Sequence, residues 1–303
     1  MTNPRTRRIA YGLLLPALLM AGCGTGDDSP PTVAGPDTEA NRAFWGTDAQ
    51  ISPGPIDAVL RYGEHPRAFA ELRIPEGEGP FPLAVIFHGG CWKAGLATQA
   101  YMGPLATDWQ DKGVATLNVD YREVGDGGGW PGSFEDWAGA GALIDQVARD
   151  YPVDRERVTL VGHSAGGLPA QWLAMAQDAD GPLGARSPVP VRSAIVFDGP
   201  ADVGAEQEAF DALCQFSAVE PFMGRSPATA ISPTRHAPRL EELLFVQAKL
   251  PAPVETAQAA IRAGETRLNV RSNEGASHFD VITPGSDAYR ANEAAVLKVL
   301  RGE

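Results

Sequence analysis

The stretch that decides the fold is residues 158–167, which read VTLVGHSAGG. Its first four residues form a short apolar run typical of a buried strand, and a helical pattern covers residues 165–176 directly after it. Between the two lies a Gly-x-Ser-x-Gly turn centred on Ser164. A strand that turns so sharply into a helix forces Ser164 into a strained conformation and lifts its hydroxyl clear of the sheet. Ser164 is therefore a candidate nucleophile.

The same alternation of strands and helices extends outward on both sides of this stretch. Further helical patterns cover residues 134–148 and 288–300. Six more apolar runs bounded by turn residues predict buried strands, at residues 69–74, 83–87, 114–119, 194–197, 243–246 and 268–270. We therefore expect an α/β fold with a mostly parallel central sheet and helices on both faces. In such sheets, chemistry gathers at the carboxyl ends of the strands.

Composition excludes several classes of protein. The chain has 303 residues, of which 44% are hydrophobic and 21% charged, enough to bury a sizeable core, so disorder throughout is excluded. It carries 38 acidic against 25 basic residues and no basic run beyond its first eight positions, which excludes a nucleic-acid partner. Its longest apolar stretch, residues 9–20, is shorter than the roughly 20 residues of a spanning helix. A multi-pass membrane protein is excluded as well.

The N-terminus has the pattern of an export signal. Three arginines precede the apolar stretch, and the small residues Ala21 and Gly22 follow it. Residues 19–23, LMAGC, resemble the lipobox of bacterial lipoproteins, in which the cysteine is lipidated before cleavage leaves it as the first residue. We expect residues 1–22 to be a lipoprotein signal peptide and Cys23 to carry the lipid that anchors the exported protein at the cell envelope membrane. The alternative is an ordinary secretory signal with an incidental cysteine.

The remaining chain divides into a tether and one domain. Residues 23–43 are rich in Gly, Pro, Asp and Thr without periodicity, which predicts a flexible tether. Residues 44–303 show no internal repeat and are expected to form a single domain. Its two cysteines, Cys91 and Cys214, could form a disulfide after export or remain buried thiols, and the sequence leaves both open.

A second motif, HGGCW at residues 88–92, follows the predicted strand at 83–87. Paired glycines let the backbone approach a substrate closely. The amides of Gly89 and Gly90, together with that of Ala165, could form an oxyanion hole for a tetrahedral intermediate.

The third motif supplies a base. His278 follows the last predicted strand and comes after Ser164 in the chain, in the order nucleophile and then histidine. The other four histidines are less well placed: His65, His88, His163 and His236. We therefore take His278 as the candidate catalytic base.

Together these motifs resemble the α/β-hydrolase superfamily over about residues 65–303. The resemblance rests on residues 88–92, Asp120-Tyr121-Arg122, Pro131 with Asp136, residues 162–167, Ser232-Pro233 and His278-Phe279. Within the superfamily, the chain is most similar to carboxylesterases of the hormone-sensitive-lipase-like and feruloyl-esterase-like groups, with arylformamidases as near relatives. This implies an α/β-hydrolase fold, the nucleophile Ser164, the base His278 and an oxyanion hole from Gly89, Gly90 and Ala165. It also implies that residues 120–122 brace the glycine loop.

The acid of the expected triad is missing from its usual place. These families carry it just after the penultimate strand, but here no carboxylate follows the predicted strand at 243–246 before Glu255. Asp198, at the end of the preceding predicted strand, is the first choice because that strand end neighbours the usual site. Glu255 is the second choice, and a Ser-His dyad is the third.

The sequence therefore predicts a serine carboxylesterase that cleaves small-molecule esters through an acyl-enzyme. No cofactor is expected, and the Cys and His residues show no zinc-ligand spacing, so no metal is expected either. Two alternatives stay open: an arylformamidase or other amide hydrolase, and a weakly active binding or scaffold lipoprotein. Candidate pocket aromatics are Trp92, Tyr101, Trp109, Trp130 and Phe222, and residues 204–239 could cover the site. The sequence leaves the acyl preference and the oligomeric state open.

Overall fold

The computed structural model describes residues 53–175, 189–226 and 231–303. The predicted signal peptide and tether, including Cys23, lie outside these residues. Of the helices that are described, none combines the length and the apolar character needed to cross a membrane.

Eight strands form the central sheet: β1 (Ala58–Arg61), β2 (Phe69–Arg73), β3 (Phe81–Phe87), β4 (Ala115–Val119), β5 (Val153–His163), β6 (Ser193–Phe197), β7 (Glu242–Gln247) and β8 (Arg267–Ser272). Their order across the sheet is β1-β2-β4-β3-β5-β6-β7-β8. β2 runs antiparallel to both β1 and β4, and all other neighbouring pairs are parallel. The carboxyl ends of β3 to β8 therefore meet along one edge.

The described residues form seven α-helices, six between strands and the last after β8: α1 (Gly103–Asp111), α2 (Gly132–Asp150), α3 (Gly167–Trp172), α4 (Gln207–Cys214), α5 (Val219–Met223), α6 (Glu255–Ala263) and α7 (Asp287–Arg301). The ends of α7 show how local sequence sets a boundary. The hydroxyl of Ser286 accepts the Tyr289 amide (3.0 Å), and Gly302 ends the helix at a φ of 69°.

Two apolar layers cover the sheet, one on each face. In β3, the side chains of Leu83, Val85 and Phe87 enter the core under α2 and α3, whereas Ala84 and Ile86 enter the core under α1 and α7. Alternate strand residues point to opposite faces, so a strand covered on both sides is apolar throughout. This is why the central strands appear in the sequence as continuous apolar runs.

The predicted mostly parallel α/β architecture is confirmed, and all seven predicted strands are present. β1 escapes prediction because it is a four-residue edge strand that alternates partly buried and exposed positions. The helix predicted at residues 165–176 differs in detail: residues 164–166 form a 3-10 turn, and α3 starts at Gly167.

Candidate active site

Ser164 lies at the sharp turn between β5 and α3. Its φ is 55°, a left-handed conformation that is unusual for a residue with a side chain. The flanking glycines allow this turn, because a Cβ on Gly162 would lie 1.9 Å from the Gly166 carbonyl oxygen and one on Gly166 would lie 2.1 Å from the Phe87 carbonyl oxygen. The predicted sharp turn from strand to helix at Ser164 is therefore present in the backbone.

His278 lies in the loop after β8 and is paired with Asp198 at the end of β6. The Nδ1 atom of His278 donates to Asp198 Oδ2 over 2.7 Å. Both side chains are buried, His278 at 5% exposure and Asp198 fully. Donation from Nδ1 leaves Nε2 as the unprotonated nitrogen of a neutral imidazole. The ring thus has the tautomer that a general base requires.

The loop after β7 holds the carboxylate of Asp198. Its Oδ1 accepts the amides of Ala248 (2.8 Å), Lys249 (3.0 Å) and Leu250 (2.9 Å). Asp198 itself has a positive φ of 42°, which turns the side chain toward that loop. Burial acts to raise the pKa of Asp198, but the hydrogen bond and charge of His278 and the amides outweigh it, so the pKa is lowered.

The other carboxylates near this edge have different surroundings. Glu255 is exposed in the first turn of α6. Asp202 accepts the amides of Gly204 and Ala205, each over 3.1 Å, and so caps the segment that follows. Asp280 accepts the amide of Ser277 (2.9 Å) within its own loop. Among the three triad readings left open by the sequence, the contact with His278 therefore favours Asp198.

The loop from His88 to Trp92 is braced from behind, as the resemblance implied. The Tyr121 hydroxyl donates to the His88 carbonyl oxygen (2.7 Å), and the two rings stack with centroids 4.3 Å apart. The His88 Nε2 atom lies 3.0 Å from Asp120 Oδ1. Gly90 has a φ of 111°, which only glycine adopts readily.

The three predicted oxyanion donors do not lie in equivalent surroundings. The amide of Gly89 already donates to the Tyr101 hydroxyl oxygen. The Gly90 amide, by contrast, meets no acceptor within the part of the chain that the structure describes. Trp92 reaches across the site, and its Nε1 donates to the Ala165 carbonyl oxygen (3.1 Å). Of the three predicted donors, Gly89 is thus the one whose amide already has a hydrogen-bond acceptor.

Tyr101 and His163 form a part of the site whose contacts sequence reasoning missed. The Tyr101 hydroxyl oxygen lies 2.8 Å from His163 Nδ1, and His163 Nε2 lies 3.0 Å from the His278 carbonyl oxygen. The His163 ring packs against the His278 ring at 4.4 Å, although we expected His163 to be poorly placed. No sequence signal indicates this, because Tyr101 lies in a 3-10 turn, His163 at the end of β5 and His278 in the loop after β8.

A disulfide connects the glycine loop to α4. Cys91, which directly follows Gly90, is bonded to Cys214 at the end of α4, 123 positions later. Beside it, Trp92 stacks on Phe222 of α5 at 4.3 Å and packs on Phe210 of α4 at 4.8 Å. α4 and α5 are thus fixed next to the glycine loop, and the open question of two thiols or a disulfide is answered.

The candidate pocket aromatics divide between core and site. Trp92 and Phe222 are fully buried on the α2 face, and Trp109 is fully buried on the opposite face. Trp130 is partly buried beside that α2-face core. Among these five, Tyr101 and Trp92 contact residues around Ser164 and His278. Tyr101 meets Gly89, His163 and Phe279, and Trp92 meets Ala165.

The described residues contain no group of three His, Cys, Asp or Glu side chains that could hold a metal ion. What they bring together is a serine at a strained turn, a correctly oriented histidine, a buried ionised carboxylate and backbone amides at a glycine loop. This combination can form and break an acyl-enzyme.

Comparisons with known proteins agree with this geometry. The sequence profile described as BD-FAE matches residues 72–262, more than half of the chain. No curated protein matches the chain in sequence.

Several solved structures share the fold. Esterase 2 of Thermogutta terrifontis, phosphoramylated by tabun, has a TM-score of 0.63 at 20% identity, with coverage of 81% of this chain and 96% of that one. The propionate-bound form of the same esterase has a TM-score of 0.61 at 20% identity, covering 81% and 94%. A truncated carbohydrate esterase from gut microbiota has a TM-score of 0.62 at 15% identity, covering 83% and 98%. At these identities the similarity establishes the fold.

Proposed function

The chain belongs to the BD-FAE family and is an esterase-like α/β hydrolase, and from this premise we propose that it is a serine carboxylesterase. The observation that carries the proposal is the buried Asp198–His278 pair (2.7 Å) at the same sheet edge as Ser164. His163, the neighbour of Ser164 in the chain, packs directly on the His278 ring.

In the proposed mechanism, Ser164 attacks an ester carbonyl while His278 Nε2 takes its proton. Asp198 remains ionised and stabilises the imidazolium that forms. The amides of Gly90 and Ala165 donate to the oxyanion of the tetrahedral intermediate. His278 then protonates the departing alcohol, and a water molecule repeats the sequence to release the acid.

Short acyl groups are the proposed substrates. The structure of the Thermogutta esterase holds propionate, and another similar structure is that of a carbohydrate esterase. In this chain, Trp92 and Phe222 pack together beside the glycine loop and are fully buried. The aromatic side chain that remains partly exposed at the site is Tyr101. We therefore expect acetyl and propionyl esters to be cleaved better than long-chain esters.

A hydrolysis assay tests this proposal. The purified protein should hydrolyse p-nitrophenyl acetate and propionate, and Ser164→Ala should abolish turnover. The matched control is Ser226→Ala, a serine in the loop after α5. Equal inactivity of wild type and Ser164→Ala on esters, followed by turnover of a formamide substrate, would instead establish the amide-hydrolase alternative.

We further propose that the protein is exported and anchored to a membrane through a lipid on Cys23. The pattern of residues 1–23 motivates this, and the Cys91–Cys214 disulfide supports it because disulfides persist in oxidising compartments outside the cytosol.

A further inference from the structure

We propose that Tyr101 is a positioning residue of the hydrolase site, whose hydroxyl bridges the glycine loop to the loop that carries His278. This inference rests on the proposed function. The bridge runs from the Gly89 amide through the Tyr101 hydroxyl and the His163 ring to the backbone of His278.

The direction of each hydrogen bond follows from the groups involved. The His278 carbonyl oxygen can only accept, so His163 Nε2 carries the proton and donates to it (3.0 Å). In a neutral ring, His163 Nδ1 is then an acceptor, and the Tyr101 hydroxyl donates to it (2.8 Å). The Tyr101 oxygen in turn accepts the Gly89 amide. Donors and acceptors are thus matched at every step.

The bridge must remain uncharged to work, and the surroundings of His163 ensure this. His163 is fully buried, and burial together with the nearby His278 lowers its pKa to about 3. Burial also raises the pKa of the Tyr101 hydroxyl, which therefore keeps its proton. A neutral His163 adds no second positive charge beside the imidazolium that His278 becomes during the proposed reaction.

Tyr101 is itself held firmly. It lies in a 3-10 turn, Gln99–Met102, whose Gln99 carbonyl oxygen accepts from Asn118 Nδ2 over 2.8 Å. Its ring meets the rings of His163 and Phe279 edge-to-face, both at 5.7 Å. The hydroxyl therefore has a fixed position from which to set the spacing of the two loops.

The bridge connects the two groups that must act on the same carbonyl. Gly89 precedes the proposed oxyanion donor Gly90, and the His278 backbone carries the proposed base. A displacement of about 1 Å between such groups can lower turnover about 100-fold. Removing the hydroxyl also frees the Gly89 amide and the His163 Nδ1 atom, so both loops lose a restraint.

The test is Tyr101→Phe, with kcat and KM measured on p-nitrophenyl propionate. We expect kcat to fall about 10- to 100-fold while KM changes less than about threefold. Tyr289→Phe is the matched control: it removes a hydroxyl that also has two partners, Asp108 (2.6 Å) and Trp109 (3.0 Å), but lies away from the site. Tyr289→Phe should lower the melting temperature and leave kcat unchanged.

A double-mutant cycle distinguishes a bridge from two separate stabilising contacts. His163→Phe keeps a ring against His278 but removes both hydrogen bonds, and the double variant should be no slower than the worse single variant. The inference would be overturned if the loss of kcat in the double variant equalled the product of the two single losses, or if Tyr101→Phe kept the wild-type kcat. A wild type without esterase activity would overturn the proposed function as well, so the two failures are distinguishable.

Discussion

Asp198 lies at the end of β6, one strand away from the place where the resemblance led us to expect the acid. The loop after β7 has no carboxylate before Glu255 and instead supplies three amides to the carboxylate of Asp198. A single residue at the neighbouring strand end thereby reaches His278 Nδ1.

The first prediction concerns this residue. Asp198→Asn should lower kcat by about 1,000- to 10,000-fold, because the amide cannot stabilise the imidazolium or hold the required tautomer of His278. Glu255→Gln is the control, since Glu255 is exposed at the start of α6, and its kcat should match wild type. The kcat of ester hydrolysis measured on both variants shows which carboxylate supports His278. A larger loss in Glu255→Gln than in Asp198→Asn would assign that role to Glu255.

The second prediction concerns the pH dependence of stability. His163 has a pKa of about 3 in the folded protein against about 6.5 when unfolded. Between these values the unfolded chain binds a proton that the folded protein does not, so stability is complete above pH 6.5 and decreases as the pH falls. From pH 7 to pH 5, this one group should cost about 2 kcal/mol of unfolding free energy.

His163→Phe removes that titration while keeping a ring in place. Urea unfolding of wild type and variant at pH 7, 6 and 5 measures how steeply the unfolding free energy of each protein changes with pH. The titratable groups that lie away from His163 are common to both proteins and cancel in the comparison. If the unfolding free energies of the two proteins changed equally with pH, a neutral, buried His163 would be contradicted.

At the scale of elements, the disulfide joins two parts that the sheet alone does not bring together. Cys91 adjoins the proposed oxyanion donor Gly90, and Cys214 ends α4. The bond closes a long loop in the unfolded chain, and such a cross-link typically stabilises by about 2–4 kcal/mol.

The third prediction follows from this bond. Cys214→Ser should lose roughly that stability in urea unfolding, and its kcat should fall because the glycine loop loses its anchor. Treatment with a reductant should bring the stability and kcat of the wild type close to those of the variant, whereas Cys214→Ser should not respond to the reductant. An unchanged unfolding midpoint in the variant would show that the bond contributes nothing to the fold.

The elements differ in how well the sequence predicts them. Central strands such as β3 and β6 are buried on both faces, and so they stand out as apolar runs. β1 carries little signal because an edge strand needs only one buried face. α4 and α5 are short, and their residues Phe210 and Phe222 pack against Trp92, a partner that no local pattern reveals.

The residues of the site also divide into those that a local sequence pattern predicts and those that depend on distant contacts. Ser164, Gly90 and His278 are predictable because a fixed backbone geometry or chain order requires them. Tyr101 and His163 are not predictable in their roles, since their contacts join the glycine loop, a 3-10 turn, the end of β5 and the loop after β8, which meet only in the folded protein. Spacing and strand placement ranked Asp198 first, but only the contact with His278 distinguishes it from Glu255.

At the scale of the whole molecule, the fourth prediction concerns the proposed anchor. In a bacterial host with a lipoprotein pathway, the wild type should partition into the membrane fraction, and Cys23→Ser should move it to the soluble fraction. The net charge of −13 favours solubility once the anchor is lost. A wild type that is already soluble would contradict lipidation.

The central claim is that Ser164 is a nucleophile activated by His278 and Asp198, and covalent labelling tests it most directly. We would treat the folded protein with a fluorophosphonate and locate the adduct by mass spectrometry of its peptides. The account predicts one adduct, on Ser164, that is absent in Ser164→Ala and forms far more slowly in Asp198→Asn. No adduct on the wild type, or an adduct on a different residue, would contradict it.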